Sequence, residues 1–324
     1  MNGLPSVAVL LPVYNEAASI DECLASLAAQ TYAGDWEVIV ADGGSTDGTL
    51  ETIRQAQSRL PRLSIIDNHR RLQSHGLNLA AASTGAEILV RADAHTTYSP
   101  NFLVRSVEAL LRSGADAVGG PMVPRGETSF GHAIAAAYRS KVGIGPAAFH
   151  HTDEPVEGDT VYLGTMSRAT FLANGGMRTL PSRVAEDADF FYRLRQRGGR
   201  VLIDPAIEST YHPRSSPGAL WRQFYRYGLG KADMLYLNGE FPSWRPIAPL
   251  ALVLGLAAGV AMGLLAMVWW PLLSLLAAWI VVLLIGGRGR PLQIGAITIM
   301  HLGYGVGLVR GLLRSPRAVR ANVR

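Results

Sequence analysis

The chain has one cysteine, Cys23, in 324 residues. No disulfide can form within it, and a chain of this size without cross-links suits a reducing compartment. Cys23 falls in a helical pattern and reads as a small core residue. Acidic residues and lysine are absent after Glu240, where eight arginines carry all the formal side-chain charge. The net charge is +5, so what precedes Arg245 is net acidic and the high pI belongs to the tail. A basic, apolar tail points to an anionic membrane surface. No basic–aromatic interleaving marks the rest, and no nucleic-acid partner is expected. No Gly-x-Gly-x-x-Gly follows the first apolar run, which argues against a dinucleotide-dependent dehydrogenase. The opening residues lack a charged segment and are interrupted by Pro12, so they do not read as a signal peptide. Internal repeats and low-complexity segments are also missing.

Short apolar runs alternate with helical patterns. Strands are expected at Val7–Pro12, Trp36–Asp42, Leu63–Asp67 and Ala86–Asp93. Helices are expected at Glu16–Gln30, Asp47–Leu60, Ser74–Ser83 and Pro100–Ser113. Strands that are apolar on both faces and separated by helices imply a mostly parallel sheet covered on both sides. Right-handed crossovers bring the strand C-termini to one edge, where ligands bind. Residues 116–205 are less regular, with a strand and short helix in VYLGTMSRATFLANGG and a helix and strand in AEDADFFYRLRQRGGRVLID.

Pro217–Gly239 is amphipathic and aromatic-rich, suited to a helix at a membrane boundary. Ile247–Trp270 is uncharged and long enough to span a bilayer. Trp269 and Trp270 fall at an interface level, and after Pro271 the run Leu272–Gly287 returns. Leu292–Leu313 either spans or lies in the interface. Only the second keeps every arginine on one side, as the positive-inside rule favours. The expected organisation is a catalytic domain over 1–215, an interfacial segment over 216–245 and a membrane domain over 246–324, with two transmembrane helices plus an interfacial or third spanning one.

Two carboxylates end strands. In WEVIVADGGSTDGT, Asp42 is followed by two glycines. This is either a tight turn or a carboxylate beside bare backbone that a ligand can approach. Asp47 reads as a helix N-cap. Asp93 is a hard oxygen donor suited to a divalent cation, or the cap of a turn before Pro100. His95 is a second ligand, a phosphate contact or inert. Glu186, Asp187 and Asp189 open a helix that closes with Arg193, Arg195 and Arg197, a match to the helix dipole. A carboxylate there also suits general base catalysis. Arg70 and Arg71 are phosphate candidates or a solvated basic loop.

LPVYNEA, VADGGSTDGT, RADAH, GTMSRATFLANGG, EDADFFYRLRQRG and QFYRYG occur in the order found in family 2 glycosyltransferases, and residues 5–240 resemble that family. RADAH, EDAD and YGLGK resemble most the succinoglycan-type glucosyltransferases of bacterial exopolysaccharide assembly. The resemblance implies a GT-A fold, a Rossmann-like α/β domain with helices on both faces of the sheet, plus C-terminal interfacial and transmembrane helices. It implies that Pro12, Tyr14, Glu16 and Asp42 shape a uridine pocket, and that Asp93, with His95, holds Mg²⁺ or Mn²⁺. Asp187 becomes the catalytic base with Glu186 beside it. Arg226 and Tyr227 in QFYRY match a Gln-x-x-Arg-Trp signature with Tyr for Trp, suiting diphosphate binding and stacking on an acceptor sugar, or else lipid-headgroup anchoring. Two departures stand out: Arg91 replaces the first Asp of Asp-x-Asp, and Gly43 the second of Asp-Asp.

The implied activity is inverting, metal-dependent hexosyl transfer. The sugar, glucose on this reading, passes from a UDP-sugar to a polyprenyl-diphosphate-linked saccharide. The expected place is a bacterial inner membrane with the catalytic domain in the cytosol, in association with other glycan-assembly enzymes. Alternatives are a processive polysaccharide synthase, a polyprenyl-phosphate glycosyltransferase and a non-enzymatic, membrane-tethered binder of nucleotide sugars.

Overall fold

A strand that is apolar on both faces becomes central when helices cover each side. The computed structural model describes residues 3–60, 62–213, 216–241 and 243–321. The expected boundary at residue 215 and Arg324 lie outside them. The described chain divides into two units. The first holds residues 1–123, 148–179 and 186–212, and the second holds 124–147, 180–185 and 213–324.

The strands, in chain order, are β1 (Val7–Val13), β2 (Trp36–Asp42), β3 (Leu63–Asp67), β4 (Ile88–Arg91), β5 (Thr96–Tyr98), β6 (Ala117–Gly120), β7 (Val123–Pro124), β8 (Val156–Glu157), β9 (Tyr162–Ser167), β10 (Val201–Ile203) and β11 (Ser209–Tyr211). Eight form one sheet in the order β3-β2-β1-β4-β9-β6-β10-β8, and β5, β11 and β7 form a second. The first four of the large sheet run parallel. β9 is antiparallel to both β4 and β6, which makes the sheet mixed. An apolar run does not encode its own direction, so that insertion is invisible in periodicity.

The helices of the first unit are α1 (Ile20–Ala28), α2 (Thr49–Ala56), α3 (Gln73–Ala82) and α4 (Phe102–Ser113). β1 alternates between two cores. Val7, Val9, Leu11 and Val13 join residues of α1, α2 and α4 on one face. Ala8 and Leu10 join Leu77 of α3 and, further along the chain, Phe171, Phe190 and Phe191 on the other. This clamp fixes the C-terminal ends of β1, β2 and β4 as one rigid edge.

Several boundaries differ from expectation. α1 begins at Ile20, not Glu16, because residues 16–19 form a turn: Ser19 N–H donates to the Glu16 carbonyl and Glu16 N–H to Thr49 Oγ1. Gly48, at φ 95°, takes the cap position of α2 in place of Asp47. The Asp47 carboxylate still accepts from Thr49 N–H and its hydroxyl, and that hydroxyl bond leads the effects that hold its pKa below the ordinary value.

The second unit is helical: α5 (Ser129–Tyr138) and α6 (Lys141–Ile144) belong to it. The first unit contributes α7 (Arg168–Ala173) and α8 (Glu186–Gln196) before the chain returns as α9 (Pro217–Asn238). α10 (Ile247–Ala266), α11 (Trp270–Gly287) and α12 (Pro291–Leu312) are each long and apolar enough to cross a membrane. α13 (Pro316–Ala321) follows. α11 starts at Trp270 rather than Leu272, with Pro271 tolerated in its first turn. The chain reverses at Met267–Trp269 instead, with Met267 at φ 54°. α9 and α12 lie backbone to backbone. A Cβ on Gly228 would strike the Tyr304 carbonyl, and one on Gly307 the Tyr225 carbonyl.

Candidate active site

The strand edge collects the candidate residues of the first unit. Asp42 ends β2 in register with Val13 of β1. Asp93 lies two residues beyond β4, on the other side of β1. The Asp93 backbone is fixed by Tyr98, whose hydroxyl accepts its N–H at 2.8 Å. Its carboxylate is held from two sides. Gln73, at the start of α3, donates Nε2–H to Oδ1 at 3.1 Å. Arg91 forks onto both oxygens, Nε to Oδ1 and Nη2 to Oδ2, each at 3.2 Å.

The same guanidinium reaches Asp187, with Nη1 3.5 Å from Oδ2. Arg91 thus joins the residue expected to bind metal to the residue expected to act as base. Burial works against its charge, but Asp93, Asp187 and Glu186 outweigh that and keep it a cation. Asp187 is the open member of the group, with a side chain 41% exposed against 7% for Asp93 and 12% for Arg91. The Ala188 N–H donates to its Oδ1 at 2.7 Å. Glu186 is 6% exposed. Burial, then the Asp187 charge, push its carboxyl up to about 7, with Arg91 opposing.

His95 faces Glu16, Nδ1 to Oε1 at 4.0 Å, and packs edge-on against Tyr211. Among the described residues no group of three or more His, Cys, Asp or Glu side chains is arranged to hold a metal ion. The donors fit a magnesium or manganese ion nonetheless. Such ions take one or two protein ligands and complete their shell with substrate phosphates and water, and Asp93, with His95 two residues on, offers that partial set.

The carboxylate of Asp42 builds its own turn. Oδ2 accepts Gly44 N–H at 2.9 Å, and Oδ1 accepts the Ser45 hydroxyl at 2.6 Å. Gly44 takes φ 75°, which glycine adopts without a Cβ penalty. The glycines also let an aromatic approach: a Cβ on Gly43 would lie 3.0 Å from Tyr14 Cδ2. Tyr14 is exposed, with the Arg71 guanidinium 5.2 Å from its ring centre. Pro12 lies within β1 and contributes backbone to this edge.

Arg226 and Tyr227 belong to α9, in the second unit. The Tyr227 hydroxyl accepts from Gln223 Nε2 at 2.9 Å, and its ring is edge-on to Phe224. Arg226 is exposed. Sequence reading missed Gln73, which precedes the expected helix start. It also treated Arg91 as a departure rather than a member of the site. The signal for Arg91 was present in the expected strand Ala86–Asp93, where residues two apart point to the same face.

A mixed sheet of this order, with acidic residues gathered at the parallel strand ends, defines a GT-A sugar-transfer domain. The chain belongs to glycosyltransferase family 2. The model for "Glycosyl transferase family 2" matches residues 8–150, and that for "Glycosyl transferase family group 2" matches residues 88–284. The succinoglycan biosynthesis protein ExoA of Rhizobium meliloti is 33% identical over 96% of both chains. A dolichyl N-acetyl-alpha-D-glucosaminyl phosphate 3-beta-D-2,3-diacetamido-2,3-dideoxy-beta-D-glucuronosyltransferase of Methanococcus voltae is 24% identical over 71% of this chain and 74% of its own. The fold matches the mannosyltransferase PcManGT of Pyrobaculum calidifontis, solved with GDP-Man and Mn²⁺. Its TM-score is 0.68 at 22% identity, over 96% of this chain and 88% of that one.

Proposed function

We propose that the chain is an inverting glycosyltransferase that moves glucose from UDP-glucose to a polyprenyl-diphosphate-linked saccharide, at the cytosolic face of a bacterial inner membrane. The observation that carries this is the Arg91 bridge, which brings the exposed carboxylate of Asp187 to the buried one of Asp93. One open base, with no second exposed carboxylate paired with it among the described residues, suits a single displacement. The acceptor hydroxyl gives its proton to Asp187, its oxygen bonds to the anomeric carbon, and the bond from that carbon to the diphosphate breaks with its electron pair leaving on UDP. A bound divalent cation, held by Asp93 with His95, would neutralise charge on the leaving diphosphate. Tyr14, with Arg71 over its ring, offers a face on which a base stacks, and the Asp42 turn supplies backbone beside it.

The lipid-linked acceptor is supported by the three apolar helices and by two relatives. One is named for succinoglycan biosynthesis and the other for transfer to a dolichyl-phosphate-linked sugar. The second name also supports the alternative of a single sugar added to a polyprenyl-phosphate-linked acceptor.

The test is transfer by the purified full chain, with UDP-glucose and GDP-mannose compared as donors, Mn²⁺ or Mg²⁺, and lipid-linked acceptors. UDP-glucose should be used in preference, with one sugar added per acceptor. Asp187→Asn should lower kcat by about 10²- to 10⁴-fold, and Asp93→Ala should abolish the metal requirement together with most activity. Full rates in both variants would sink the mechanism.

A further inference from the structure

Arg91 occupies the carboxylate that the proposed function gives to a metal. Its fork covers both Asp93 oxygens, and Gln73 shares one of them. A divalent cation needs at least one of those oxygens, and a guanidinium and a dication repel across so short a distance in a partly desolvated site. The two cations therefore compete for one ligand. With no described cluster of three protein donors, a metal alone gains too little from the protein to displace a bidentate arginine. A nucleoside diphosphate changes the balance, because its phosphate oxygens complete the metal's shell.

We propose that Arg91 is an internal counter-ion that makes metal binding conditional on the nucleotide. In the nucleotide-free enzyme it holds the Asp93 carboxylate closed. When a nucleoside diphosphate arrives with a divalent cation, Asp93 passes to the metal and Arg91 is left to Asp187 and Glu186, the other acids that already act on it. Arg91 is thus a positioning residue. It orders the addition of cofactor and donor, and it keeps the base neighbourhood charge-balanced in both states. This inference rests on the metal reading above.

The experiment is calorimetric titration of MnCl₂ into the full chain in detergent, with and without UDP. Wild type should bind Mn²⁺ at least about tenfold more tightly when UDP is present. Arg91→Gln should bind Mn²⁺ at least about tenfold more tightly than wild type both alone and with UDP, because the arginine must leave Asp93 in either case. Asp93→Ala should abolish both. Arg91→Lys keeps the charge but not the fork, should fall between, and serves if Arg91→Gln does not fold. A merely structural arginine would give weaker binding on removal. Equal or weaker Mn²⁺ affinity in both Arg91 variants, with tight Mn²⁺ binding by wild type plus UDP, overturns the proposal and leaves the metal reading standing. No Mn²⁺ binding by wild type with UDP overturns both.

Discussion

Glu186 and Asp187 are neighbours in sequence with different surroundings, and the difference is testable. Glu186 is buried and its carboxyl is pushed up to about 7, first by burial and then by Asp187. The folded state holds this proton more tightly than the unfolded chain, whose carboxyl titrates at its ordinary value. Folding stability from this group is therefore fully present below that ordinary value and is lost as pH rises through about 7. Thermal midpoints measured from pH 5 to pH 8 should fall across this window in wild type, and Glu186→Gln should flatten the dependence. A variant with the same slope as wild type would remove Glu186 as its source. The sequence showed two acids at a helix start, which the dipole explains for both. It did not show which one is buried, because that depends on β4 and Arg91, far away in the chain. At Asp42 the sequence left a turn and a ligand carboxylate both open. The structure gives the carboxylate to the turn, through Gly44 and Ser45, so any ligand at this edge meets a carboxylate already shared with its own loop.

Elements were legible where they were long and periodic. β1, β2 and β3 fall on the expected runs, and α9 to α12 on the apolar or amphipathic stretches. β5, β7 and β11 have three, two and three residues, too few for a period to register, and their pairing is long-range. The α9–α12 pairing was also hidden, since it rests on glycines whose use appears only when two backbones meet. Small residues let helices approach so closely in apolar surroundings. Gly307→Leu should therefore force the helices apart and cost more than about 3 kcal/mol, read as a loss of folded protein or a large drop in thermal midpoint in detergent. Gly295 lies in the same helix with nothing within 4 Å of its would-be Cβ, and Gly295→Ala should leave the midpoint unchanged or slightly raised. Equal behaviour of the two variants would mean that the contact does not hold the pair.

For the molecule as a whole, the open matter is how many of its three apolar helices cross the bilayer. α10 and α11 form a hairpin, with Gly259 against Leu272 and Gly263 against Trp269 near its closed end. Little of either helix is covered by protein, 11% and 17%, whereas 44% is covered in α12. The contacts along α12 identify its level. Its first turn meets Gly287 at the end of α11, His301 meets the Val142 carbonyl of α6, and Gly305 meets Pro249 near the start of α10. Gly311 meets Ala232 of α9, and just beyond α12 Arg314 pairs with Asp233, 3.4 Å apart. Most of these partners lie at the open end of the hairpin or on α6 and α9, and α9 carries Arg222, Arg226 and Lys231, which cannot lie in hydrocarbon without large cost; Trp279, midway along α11, also donates its indole N–H to His301. We propose that α12 runs along the membrane boundary and that the hairpin alone crosses. Arg245, Arg288, Arg290, Arg310, Arg314, Arg317 and Arg320 would then share one side of the membrane, in keeping with the positive-inside rule. Single cysteines at Met267, Arg290 and Arg317 test this with a membrane-impermeant maleimide, because Cys23 is fully buried. In vesicles that expose the cytosolic face, the cysteines at 290 and 317 should label and the one at 267 should not, and vesicles of the opposite orientation should give the reverse. Labelling of 290 and 317 from opposite sides would make α12 a third span and overturn the proposal.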